Sequence, residues 1–214
     1  MALELYTDSR LPCPQRVHLT VRELGLDVIV HHISLERRQN KGQEYTGLNP
    51  FATLPCLKDD SFEPPLVIYE SRAIARYLAA RYGPHLLPHP EDLPAIAKFE
   101  QAASTEVATF DPVANRLVFE TVFKRFFKQG EPLPDSQLVD ELRSRLGAIL
   151  DVLDGILGRQ TYMAGEKLTV VDLFYMPYIH HLQKQVWPGF LDTRKNMADW
   201  WKRLNERDCY AALT

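Results

Sequence analysis

Eight residues, Gly-Pro-His-Leu-Leu-Pro-His-Pro at positions 83–90, divide this chain into two parts that cannot share one architecture. Three prolines in so short a run fix φ and remove backbone donors, so neither a helix nor a central strand passes through them. Before the run, strand-like and helix-like stretches alternate; after it, every periodic stretch has helical spacing. Residues 1–82 are expected to form one domain, 83–91 a linker, and 92–214 a second, α-helical domain.

In the first part, residues 3–6 alternate apolar and polar, as a short strand does. Val17, Val21 and Leu24 recur at helical spacing after Pro14, and Gly25 stands where a helix C-cap belongs. Residues 28–33 are β-branched and strand-like. Cys56-Leu57-Lys58 and the 66–69 stretch read as a hairpin across a turn-rich DDSFEPP. Ser71 is expected to cap a helix that runs to about Tyr82 and buries Ile74 and Leu78. The order is β-α-β followed by β-β-α. A thioredoxin-like layer has that order, and so do other small α/β units.

In the second part, Ile96, Phe99, Ala103, Val107 and Phe110 mark a long helix that Pro112 should end or kink. Val113, Leu117 and Phe123 continue beyond it. Leu138, Leu142, Leu146, Ile149, Leu153 and Ile156 form the cleanest stripe, and helices near 169–184 and 196–207 complete the set. The adjacent His180 and His181 point about 100° apart, so they cannot act as an i, i+4 ligand pair; a surface pair is expected.

The chain of 214 residues is 45% hydrophobic and 25% charged, with a formal net charge of −3. That balance suits a globular protein with an ample core and argues against nucleic-acid binding. The short basic run at 37–41 reads as a solvated loop. Cys13, Cys56 and Cys209 lack the spacing and the His partners of a metal site, so no metal is expected. Few free thiols, no signal peptide and no apolar run of about 20 residues point to a cytoplasmic protein without a membrane span.

Three motifs carry more information. NPFATLP occupies 49–55, ESRAI occupies 70–74, and MAGEKLTVVDL occupies 163–173. Thr169 and Asp172 in the last are spaced as a capping box, a structural device with no catalytic weight. In this order and spacing the motifs resemble those of the cytosolic glutathione transferases, nearest the phi-like plant and fungal members, over nearly the whole chain. The resemblance implies a thioredoxin-like N-terminal domain that binds glutathione as co-substrate. It also implies a helical domain for a small hydrophobic electrophile, a detoxifying transferase activity and a homodimer, with Phe51 reaching the partner subunit.

The resemblance further implies a cis bond before Pro55, which presents the Leu54 backbone to the peptide as a strand would. Glu70 and Ser71, with Arg72 beside them, correspond to the γ-glutamyl site; Ser71 also reads as a plain helix cap. Asn40 and Lys41 fall where a basic pair holds the glycyl carboxylate, and the Asn departs from that pattern. Thr53 stands in place of a frequent Gln. Leu11, Pro12, Phe110, Val113, Arg116 and Leu117 are expected to line the electrophile site, although each of the helical four also reads as ordinary core.

One departure bears on catalysis. The family's active Ser or Cys lies five residues before the helix arginine, and counting back from Arg16 gives Leu11. A leucine cannot donate to a thiolate, and the missing charge-assisted hydrogen bond is worth about 1.5–3 kcal/mol. Two replacements are near: Cys13, in the first turn of the helix, and Ser9, on the loop before it. Cys13 also reads as an inert packed thiol and Ser9 as a solvated turn residue. The function classes left open are a transferase, a glutathione-dependent isomerase or lyase, a Cys13-based thiol-disulfide reductase, and a non-catalytic carrier.

Overall fold

The computed structural model describes residues 2–127 and 134–214. The chain forms two compact units: Met1–Leu87 together with Arg207–Thr214, and Pro88–Glu206. The last eight residues, expected in the helical domain, belong to the first unit. Residues beyond 82 also extend that unit, because a 3-10 turn at Pro84–Leu86 buries Leu86.

The first unit contains β1 (Leu3–Thr7), α1 (Pro12–Glu23), β2 (Ile29–His32), α2 (Gln43–Leu48), β3 (Cys56–Asp59), β4 (Leu66–Tyr69) and α3 (Ser71–Tyr82). Its sheet order is β2-β1-β3-β4, with β1 and β2 parallel and the other pairs antiparallel. This is the thioredoxin-like mixed sheet. Strand alternation sends Leu3, Leu5 and Leu57 to one face, where Val17 and Val21 of α1 and Ile74 and Leu78 of α3 cover them. Each side chain fully buried there contributes about 1.5–3 kcal/mol.

Gly25 closes α1 as expected. Its φ of +61° lets Gly25 N–H reach the Arg22 carbonyl at 3.1 Å and Leu26 N–H the Val21 carbonyl at 3.0 Å, a Schellman motif. The final 3-10 turn, Asp208–Ala212, packs on α1. Arg22 Nε donates to the Asp208 carbonyl at 2.9 Å, and the Glu23 carboxylate accepts from Arg207 Nε at 3.0 Å and from its Nη2.

The second unit contains α4 (Leu93–Thr105), α5 (Asp111–Val118), α6 (Lys124–Phe127), α7 (Ser136–Leu157), α8 (Val170–His181) and α9 (Lys195–Asn205). Pro112 does not end the long helix. A π-helical turn at Glu106–Phe110 joins α4 to α5, so the proline sits at the start of α5 and the helical path continues. A second π turn, Phe119–Phe123, joins α5 to α6. The stripe on α7 is rotated from its expected line: Leu142, Leu146 and Leu153 are buried, with Val139, Leu150 and Leu157 beside them, while Leu138, Ile149 and Ile156 are half-buried.

Every residue of α8 is buried. At its start Thr169 and Asp172 form the capping box. The Asp172 carboxylate accepts from the backbone N–H groups of Thr169 at 3.0 Å and Met163 at 2.9 Å, and from Trp200 Nε1 at 2.9 Å. At its end His180 and His181 are also buried, which corrects the expected surface pair. A helix enclosed on all sides has no solvent face on which to place them. Among the described residues no helix is long and apolar enough to cross a membrane.

Candidate functional site

The sheet register gathers the motif segments of the first unit at one end. Tyr6 in β1 pairs with Cys56 in β3, and Cys56 pairs with Tyr69 in β4. The residues one step further along, Thr7, Pro55 and Glu70, therefore lie side by side where the three strands meet their loops. Thr7 also pairs with His32, the last residue of β2, so the 34–41 loop starts from the same end. Four separate stretches of sequence converge there.

The first is the β1–α1 turn. Asp8 is fully buried and accepts from Arg10 through the backbone N–H at 3.2 Å, Nε at 2.9 Å and Nη2 at 2.7 Å. Burial pushes the Asp8 carboxyl up, but Arg10's donors outweigh it and hold the group below the usual carboxylate range. Arg10 Nη1 donates to Glu36 at 2.9 Å, so this guanidinium is shared between two carboxylates. Ser9 is exposed on the turn. Leu11 is the extended residue ahead of α1, with φ −99°, and Pro12 is the first helical residue. Cys13 follows in the first turn, half-buried, and its Sγ accepts from Nη1 of the fully buried Arg16 at 3.3 Å.

The second stretch is the NPFATLP loop. Asn49 is fully buried; its Nδ2 donates to the Thr53 carbonyl at 2.8 Å and to Thr53 Oγ1 at 3.1 Å, and its Oδ1 accepts from Phe51 N–H at 3.1 Å. The Tyr45 hydroxyl donates to the same Thr53 carbonyl at 2.6 Å. Thr53, expected as a ligand contact, thus has its acceptors engaged inside the loop. Leu54 follows, half-buried, and the Leu54–Pro55 bond is cis, as the resemblance implied; a second cis bond, Glu63–Pro64, was not anticipated. Phe51 is 66% exposed.

The third stretch holds Asn40 and Lys41 in a 3-10 turn. Lys41 is exposed, whereas Asn40 is half-buried and its Nδ2 donates to the Ala52 carbonyl at 2.8 Å. The two members of the expected pair therefore differ in what they can do. The fourth stretch is the start of α3. Here the cap position belongs to Glu70, whose carbonyl accepts from Ile74 N–H at 2.9 Å, and Ser71 is the first helical residue, which corrects its assignment as the cap. Glu70 is exposed with φ +73°, Ser71 is 4% exposed, and Arg72 is half-buried.

In the second unit, Phe110, Val113 and Leu117 are core residues; Phe110 packs 4.8 Å from the Tyr175 ring. Arg116 is the exposed member of that expected set. Among the described residues there is no group of side chains that could hold a metal ion. Sequence reasoning missed the Asn40–Ala52 and Arg16–Cys13 contacts. The i, i+3 spacing of Cys13 and Arg16 was a signal for the second; nothing in the sequence signalled the first.

Residues 12–81 match the family description "Glutathione S-transferase, N-terminal domain", and residues 110–208 match "Glutathione S-transferase, C-terminal domain". The chain is 38% identical to glutathione S-transferase PM239X14 of Arabidopsis thaliana, over 94% of this chain and 90% of that one. The chain belongs to the glutathione S-transferase family. Its similarity to this transferase is matched by 33% identity to glutathione S-transferase hmp2 of the fungus Hypomyces subiculosus, over 100% of this chain and 98% of that one. Among solved structures, glutathione S-transferase-I bound with lactoylglutathione superposes with a TM-score of 0.90 at 25% identity, covering 100% of this chain and 99% of that one. The plant and fungal transferases are thus its kin, as the three motifs implied.

Proposed function

We propose that this glutathione S-transferase binds glutathione at the converging sheet end and transfers it to a small hydrophobic electrophile, as a cytoplasmic, homodimeric detoxifying enzyme. The observation that carries the reading is the register that sets Thr7, Pro55 and Glu70 side by side at one sheet end. In this reading the Leu54 backbone pairs with the cysteinyl segment. Ser71 and the start of α3 receive the γ-glutamyl carboxylate, Glu70 the amino group, and Lys41 the glycyl carboxylate. Leu11 and Pro12 give the sulfur an apolar neighbourhood suited to a hydrophobic partner. The exposed Phe51 ring supports a contact with a second copy.

The chemistry asked of the protein is positioning and thiol activation. With leucine at 11 and Arg10 committed to Asp8 and Glu36, the remaining polar groups of the turn are Cys13 and Ser9. The test is the thiolate absorbance of bound glutathione against pH. A pKa well below that of free glutathione supports transfer; an unshifted titration with glutathione still bound sinks it and leaves the carrier, or an isomerase or lyase that needs no activated thiolate.

The Arg16–Cys13 contact favours one second reading, thiol-disulfide exchange. Cys13 sulfur would attack the glutathionyl sulfur of a mixed disulfide, forming a new S–S bond and releasing the substrate as its thiol. A second glutathione then attacks that bond, leaving oxidised glutathione and restoring Cys13. Cys13→Ser abolishes this activity; its survival in the variant excludes the reading.

A further inference from the structure

Asn40 sits beside Lys41 in a position that invites a ligand role, but its donor group is directed inward. Its Nδ2 donates to the carbonyl of Ala52 at 2.8 Å, from a segment twelve residues earlier in the chain. Ala52 is 7% exposed, and its φ is +55°, in the left-handed region where a residue with a Cβ is uncommon. Two hydrogen bonds hold it there. Its N–H donates to the Asn49 carbonyl at 2.9 Å, and its carbonyl accepts from Asn40. The next carbonyl, that of Thr53, is occupied in turn by Tyr45 and Asn49.

The two peptide carbonyls that precede Leu54 are therefore both fixed by side chains from outside the 51–54 segment. Asn49 closes the loop on itself, Tyr45 ties it to α2, and Asn40 ties it to the 3-10 turn that carries Lys41. That last tether links the segment offering the Leu54 backbone to the segment offering the Lys41 ammonium. We propose that Asn40 is a positioning residue for the peptide co-substrate: it sets the orientation of the Ala52–Leu54 backbone and its distance from Lys41, and does not itself hold the glycyl carboxylate. This rests on the glutathione reading above.

The experiment compares the wild type with Asn40→Ala, Asn40→Asp and Lys41→Ala, using glutathione and γ-glutamylcysteine, which lacks the glycyl residue, as calorimetric probes. A positioning role predicts that Asn40→Ala weakens both ligands alike, by about five- to tenfold, whereas Lys41→Ala weakens glutathione alone. Asn40→Asp keeps the size but sets a carboxylate against the Ala52 carbonyl, and is expected to be at least as weak as Asn40→Ala. A loss in Asn40→Ala confined to glutathione would mark Asn40 as a carboxylate ligand and overturn the proposal, as would unchanged affinity for both. Amide exchange in the ligand-free protein reads the tether independently. Faster exchange at 52–54 in Asn40→Ala, with an unchanged melting temperature, is expected; unchanged exchange overturns the tether. Failure of the wild type to bind either peptide would overturn the glutathione reading itself, a result distinct from each of these.

Discussion

Arg16 and Cys13 lie one turn apart on α1, and the guanidinium Nη1 donates to the thiol sulfur at 3.3 Å. Arg16 is fully buried, so this donor is shielded from solvent. Cys13 is half-buried, whereas Cys56 and Cys209 are enclosed. Burial pushes the Cys56 thiol up to about 11 and the Cys209 thiol up to about 12. Under native conditions one thiol per chain is expected to react with a soluble disulfide reagent, and three after unfolding. Cys13→Ser should leave none reactive in the native protein. Fast modification of that variant would show that burial does not protect Cys56 or Cys209.

Leu11 occupies the extended position just ahead of α1, and in the proposed reading a hydroxyl there would donate to the bound sulfur. Leu11→Ser is expected to raise kcat/KM for conjugation by about tenfold or more, from one charge-assisted hydrogen bond. Steady-state kinetics with an apolar electrophile checks this. No change would mean that another group already supplies the donor, and Cys13→Ser in the same background would show whether that group is Cys13.

His181 is 5% exposed, its Nε2 has no hydrogen-bond partner, and burial, with His180 beside it, lowers its pKa to about 4. The unfolded chain binds this proton more readily than the folded one. Stability is therefore fully present above about pH 6.5 and falls as the pH drops toward 4. By about pH 5 this group alone is expected to remove about 2 kcal/mol. Urea unfolding at neutral and mildly acidic pH measures the loss. His181→Gln should flatten the profile over that range, and an unaltered profile would assign the acid sensitivity elsewhere.

Asp172 collects three N–H donors, from Thr169, Met163 and Trp200, in the core of the second unit. Asp172→Ala strands all three and is expected to cost about 3–5 kcal/mol, far more than the loss of an exposed cap. The check is the urea midpoint, at an m-value close to that of the wild type. A loss below about 1 kcal/mol would mean that water replaces the carboxylate.

The motifs legible in the sequence are those whose physics is local. The alternation at 3–6, the hairpin residues of β3 and β4, Gly25 and the Thr169–Asp172 spacing each depend on a few neighbouring side chains. What was misread depends on distant partners. Ser71 looked like a cap because hydroxyls cap helices, but the turn from β4 places Glu70 one residue earlier. Pro112 was expected to end or kink the helix, and the helix does not end there because a π turn, which has no composition signal, leads into α5. His180 and His181 looked exposed because nothing in a single helix reports that its neighbours enclose it. The Asn40–Ala52 contact went unread because the carbonyl that Asn40 meets belongs to another loop.

The first unit is not a continuous length of chain. Arg207 and Asp208 grip Glu23 and Arg22 at the far end of the helix that carries Cys13, and they are synthesised only after the whole helical unit. The nascent thioredoxin-like layer therefore emerges without the clasp on α1. Its completion awaits residues 207–214, so a fragment ending near residue 87 is a sheet lacking that brace.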